Sequence, residues 1–240
     1  MPRFMLLYTK FMITYKYIFE PEAGEKKEFV VELDEKTLNR IEKPKKSYPF
    51  WAQLEYKKCG NCPFAAGEKK FCPIATGLVD LLETFKDTIS HHEGLVTVVT
   101  AERTISKQAS MQEGLSSLIG IYMVTSACPV MEKLKPMVRY HLPFANVNET
   151  IYRATSMYLL GQYFVAKHNK TPDWKMDGLI EIYNEVAKLN GEIAQRIRSA
   201  SNEDANINAL VILDIFAKML PFSIEDTLSR MEYLFASYLR

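Results

Sequence analysis

Apolar and polar positions alternate along residues 11–19, where Phe11, Ile13, Tyr15, Tyr17 and Phe19 share one side of an extended chain. The other side carries Thr14 and Lys16 together with the apolar Met12 and Ile18. Pro21 and Gly24 break the run, and alternation resumes over residues 28–34 with Phe29, Val31 and Leu33 on one side. The pair predicts a β-hairpin. Residues 94–104 predict a third strand, with Val96, Val98 and Thr100 on one face. Between them, residues 42–58 hold Pro44, Pro49 and a surplus of lysine, an irregular basic connection anchored by Tyr48, Phe50 and Trp51.

The period then changes. Pro73 suits the first turn of a helix continued by residues 74–86. From residue 110 onward the pattern is helical: residues 112–126, a short helix at 129–137, then a loop at 141–144. Asn146 and Glu149 form a capping box for a helix over residues 149–166, with Asn148 as the rival cap. Thr171-Pro172 predicts the start of a long helix to about residue 200. Ser201 with Asp204, and Ser223 with Asp226, open two more; the first is apolar enough to be central. This is an α+β chain: a small antiparallel sheet, made of the N-terminal hairpin plus a third strand, packed on a mainly helical C-terminal body. A sheet that small needs a second layer, so residues 1–240 are expected to form one integrated domain. Residues 1–104 supply its sheet and cysteine loop, and residues 105–240 its helices.

Composition sharpens this picture. Of 240 residues, 48% are hydrophobic and 25% charged, which excludes a mostly disordered chain. Thirty Lys and Arg against 29 Asp and Glu give a net charge of +1. That argues against a dedicated nucleic-acid binder, which carries a basic excess. No apolar run approaches the roughly 20 residues of a membrane span. The N-terminal apolar stretch is interrupted by Lys10 and Lys16 and lacks a cleavage site, so the expectation is a cytoplasmic protein without membrane attachment. The many aromatics permit a homodimer.

Four cysteines carry the most specific chemistry. Residues 57–75 read KKCGNCPFAAGEKKFCPIA, giving Cys59-x2-Cys62-x9-Cys72, and Cys128 lies in SACPV. A C-x-x-C turn lets two thiolates converge on one ion, and Gly60 and Asn61 suit that turn. Cys59, Cys62, Cys72 and Cys128 are therefore expected to hold a metal, with zinc in a closed tetrathiolate site as the leading reading. An iron–sulfur cluster is the alternative, although the spacing matches neither standard ferredoxin run. His91, His92 or His141 could replace Cys128. Reduced thiols or a redox pair are the bland readings, and the latter should open a helix beside a βαβ unit. Lys57, Lys58, Lys69 and Lys70 either offset thiolate charge or simply solvate the loop.

A second group lies in MVRYHLPF and ETIYR: Arg139, His141, Glu149 and Arg153. Glu149 and Arg153, four apart, suit a helix-stabilising pair. Arg153 nonetheless sits on a largely apolar helix and would need a partner if it turned inward. The competing reading is a pocket for a small anionic ligand, with His141 as general acid–base. Asp204 is a cap candidate or a member of the same polar network. Phosphate-binding loops, H-E-x-x-H and G-x-S-x-G are absent from the sequence, so no enzyme class is indicated.

The words CGNCPFAAGEKKFCPIA, SLIGIYMVTSACPVMEKLKPMVRYHLPFANVNETIYRATSMYLLGQYF and EDANINALVILDIFAK resemble an uncharacterised bacterial domain family of unknown function. The resemblance spans residues 10–239 and implies no activity, cofactor or catalytic residue.

Overall fold

A computed structural model describes residues 12–22, 24–42, 45–85, 92–198, 217–218, 226 and 228–240. Strands β1 (Met12–Pro21) and β2 (Lys27–Asp34) form the predicted hairpin, in register Tyr15 to Val31 and Tyr17 to Phe29. Strand β3 (Glu93–Val99) adds antiparallel to the other side of β1, Tyr17 opposite Val98. One face of this sheet presents Tyr15, Tyr17, Phe19, Leu33, Val96 and Val98, all buried, while Lys16, Val30 and Leu95 face outward. The alternation is that of an antiparallel sheet covered on one side.

The sheet has four strands rather than three. The segment expected as one strand over 94–104 ends at Val99. It turns where Thr100 Oγ1 accepts the backbone N–H groups of Glu102 and Arg103, and returns as β4 (Thr104–Ser110). The order is β2-β1-β3-β4. In β4 only Ala109 is buried. A polar, lysine-bearing edge strand protects the sheet from edge-to-edge association, and the same polarity hides it from hydrophobic patterning.

Helix α1 (Pro73–Phe85) starts at the proline, as expected, and sends Phe85 against Phe19, ring centroids 4.9 Å apart and edge to face. Helix α2 (Met111–Val124) is capped by Ser110, whose Oγ accepts the Glu113 N–H. It lies close on the sheet at Gly114, where a Cβ would come within 2.9 Å of Phe19 and Val96. After α2, a 3-10 turn (Glu132–Leu134) and the short α3 (Lys135–Arg139) occupy the region expected as one short helix. Helix α4 (Val147–Lys167) opens on the expected Asn146/Glu149 box, both reciprocal hydrogen bonds made.

Helix α5 (Asp177–Arg198) begins later than Thr171-Pro172 predicts. Asp173 explains the delay. Its carboxylate accepts the Gly178 N–H and the Tyr158 hydroxyl, each at 2.8 Å, and its own N–H goes to Gln162 Oε1. Residues 171–176 are thereby held as a capping loop against α4. The boxes expected at Ser201/Asp204 and Ser223/Asp226 lie largely outside the described residues. One hydrophobic cluster takes side chains from the strands, from α1 and α2, and from α4 and α5. Among the described residues no helix is long and apolar enough to cross a membrane.

Candidate functional site

The sequence proposes two sites, and the structure treats them differently. The cysteines converge. Cys59, Cys62, Cys72 and Cys128 line one cavity of about 20 Å³, whose remaining wall includes Leu54, Phe64, Ile74 and Ile193. All four are free thiols; Cys72 and Cys128 are buried, and Cys59 and Cys62 partly so.

Each cysteine arrives by a distinct local device. Cys59 and Cys62 flank a tight turn closed by the Cys62 N–H donating to the Cys59 carbonyl, 3.0 Å. Cys72 directly precedes α1, and its carbonyl accepts the first helical N–H, from Thr76. A short ladder places it there: Leu54 N–H bonds the Lys70 carbonyl and Cys72 N–H bonds the Ala52 carbonyl. Cys128 follows the end of α2, where exposed Ala127 adopts φ +64° and swings the chain inward.

Helix α5 clamps the C-x-x-C turn through residues that sequence reasoning missed. Glu192 accepts the Gly60 N–H at 2.7 Å, and Glu185 accepts from Asn61 Nδ2, also at 2.7 Å. One turn further, Arg196 is 1% exposed and its guanidinium donates to the carbonyls of Trp51, Gln53, Leu54 and Lys57. The segment leading into Cys59 is thus wrapped around one buried cation. Glu185, Glu192 and Arg196 lie at helical spacing on one face. In the sequence Arg196 reads as a last-turn dipole complement, so nothing marked it as buried.

Burial pushes the Cys59 thiol up to about 12, with the neighbouring Cys72 and Glu192 adding to the effect and Arg196 opposing it. Cys128 is pushed up to about 11, again by burial first. A redox or nucleophilic thiol needs the opposite shift. Residues 63–70 also contain no helix, so the C-x-x-C lacks the setting of a redox pair. The lysines nearby engage the surface: Lys58 pairs with Glu55, Lys69 lies over Phe64 and Lys70 over Phe71. Among the described residues, no three or more His, Cys, Asp or Glu side chains stand at metal-ligating geometry.

The second group is split. Arg139 points to Glu35, 3.9 Å away, at a half-exposed position. Glu149 is spent on the Asn146 box. His141 and Arg153 do meet, in the wall of a cavity of about 230 Å³ between α2, α4 and α5. Arg153 turns inward and, among the described residues, meets no carboxylate within 4 Å; its Nη2 donates to the carbonyls of Met137 and Tyr140 at 2.8 and 2.9 Å. His141 Nε2 lies 2.5 Å from the Tyr17 hydroxyl and 3.3 Å from Ser117 Oγ. Burial, aided by Arg153, depresses its pKa to about 3. That shift favours the neutral imidazole at neutral pH. Of the four residues, Arg153 and His141 share one cavity wall, while Arg139 and Glu149 have other partners. Asp204 lies outside the described residues.

A model of a domain family of unknown function, DUF6901, matches residues 13–236. The chain belongs to this family. No curated protein and no solved structure matches it significantly. Family membership therefore carries no activity to the chain.

Proposed function

We propose that the protein binds one zinc ion per chain through Cys59, Cys62, Cys72 and Cys128, in a closed structural site. The observation that carries this reading is that four cysteines from three separate segments line one cavity the size of a single water molecule or ion. Four soft thiolates favour tetrahedral zinc or iron–sulfur chemistry. A cavity of about 20 Å³ favours one ion over a cluster of several iron and sulfur atoms. The sulfurs would draw inward as they lose their protons to the ion, and ligation supplies the charge compensation that apolar walls withhold from a bare thiolate. Asn61, Glu185 and Glu192 would act as outer-shell partners that fix the turn.

The role is a staple. The ion would tie the C-x-x-C turn, the start of α1 and the end of α2 together beneath α5, with no open coordination position for a reaction. The test is elemental analysis of protein purified without chelator, with each cysteine changed to serine in turn. The reading expects one zinc per chain, no visible absorption, and loss of zinc in all four variants. Retention of zinc by Cys128→Ser together with loss in the other three would remove Cys128 from the set. Iron with acid-labile sulfide would replace zinc by a cluster.

A further inference from the structure

The larger cavity is independent of the cysteines, and its chemistry points to a different ligand. Its wall is predominantly apolar, with Ile121, Met131, Leu134, Met137, Leu142 and Phe144 among its members. A space of about 230 Å³ with such walls solvates water poorly, and an apolar molecule gains by entering it.

One cation interrupts this wall. Arg153 Nη2 is fixed by two backbone carbonyls, whereas Nη1 and Nε make no hydrogen bond to the protein. Among the described residues no carboxylate lies within 4 Å of the guanidinium, in contrast to Arg139 and Arg230, which are ion-paired. The one carboxylate among the described wall residues, Glu113, is held 2.6 Å from Lys107 Nζ and so is already compensated. His141 adds no charge, because Tyr17 and Ser117 surround its Nε2 and burial keeps it neutral. The result is one positioned positive charge at the wall of an apolar space, its nearest carboxylate influence the more distant Glu149. Arg153 is half-buried, and protein acceptors meet only part of its hydrogen-bonding capacity, which leaves donors for an anionic ligand.

We infer that this cavity binds an amphipathic monocarboxylate, its apolar body among the methionine, leucine and phenylalanine side chains and its carboxylate on the free donors of Arg153. A single guanidinium suits a monoanion. A polyphosphate or a sugar phosphate would bring more charge and more hydroxyls than this wall can satisfy.

Octanoate, octan-1-ol and octylamine, titrated calorimetrically into the protein as purified, test the inference on the wild type alone. Octanoate should bind saturably at one per chain, with octan-1-ol weaker by about tenfold or more and octylamine weakest, because a charge-assisted hydrogen bond to Arg153 separates them. Arg153→Gln should remove the preference for octanoate and leave octan-1-ol affinity unchanged, a pattern that a merely loosened fold would not give. Ala145→Phe, which fills the cavity from its wall, should abolish binding of both. Absence of saturable binding, equal affinity for the three head groups, or binding unaffected by Ala145→Phe would each overturn the inference.

Discussion

His141 offers the most quantitative prediction. The imidazole lies among Tyr15, Tyr17, Ser117 and Arg153, none of which provides a negative charge, and its native pKa falls to about 3 from an ordinary 6.5. In the unfolded chain the ring takes up a proton below pH 6.5; in the native protein it does not until about pH 3. The unfolded state therefore binds more protons in this window, and native stability falls as pH drops from 6.5 toward 3. At pH 5, roughly 1.5 pH units below the unfolded value, the loss from this group is about 2 kcal/mol. Partial access from the cavity moderates the depression, but any native value below about 4 gives nearly the same loss at pH 5. The assay is urea unfolding at pH 7.5 and pH 5.0 for the wild type and His141→Gln. The substitution loses the Tyr17 contact at both pH values alike, so the readout is the difference between the two pH dependences. The wild type should lose about 2 kcal/mol more than the variant between the two conditions. Equal pH dependence in the two proteins, or an imidazole titrating near 6.5 by NMR, would refute the reasoning.

Two further outcomes follow from the clamp and the turn. Arg196→Met should destabilise the protein by about 3 kcal/mol, because four carbonyls, that of Leu54 in a fully buried bond, lose a charged donor, and Arg196→Lys should not rescue it, since three N–H groups cannot serve four carbonyls; chemical denaturation reads both. Ala127→Gly should raise stability by up to about 1 kcal/mol, or a few degrees in Tm, because the exposed alanine holds a left-handed φ of +64° that glycine adopts freely.

The parts of this protein governed by local chemistry were legible in its sequence. Alternation in Tyr15, Tyr17 and Phe19 gave the hairpin and its buried face, Pro73 gave the start of α1, and Asn146 with Glu149 gave the start of α4. Each signal is written in neighbouring residues. The cysteines were legible as a group because their residue type and spacing are uncommon in a core. What failed was direction at a distance. Thr171-Pro172 looked like a helix start because the sequence does not reveal that Asp173 is held by Tyr158 and Gln162 on another helix. Strand β4 carries too little apolar pattern to announce itself. The apolar helix around Arg153 hinted that it turns inward, but not that its partners are the carbonyls of Met137 and Tyr140, nor that Arg139 faces Glu35. Arg196 had the least signal of all, since its partners are backbone atoms of a loop distant in sequence.

The central claim is that four cysteines hold one zinc ion, and zinc K-edge X-ray absorption of the purified protein tests it most directly. The account predicts a first shell of four sulfur scatterers at about 2.3 Å. A zinc shell containing nitrogen or oxygen, or protein that retains no zinc after purification without chelator, would contradict it.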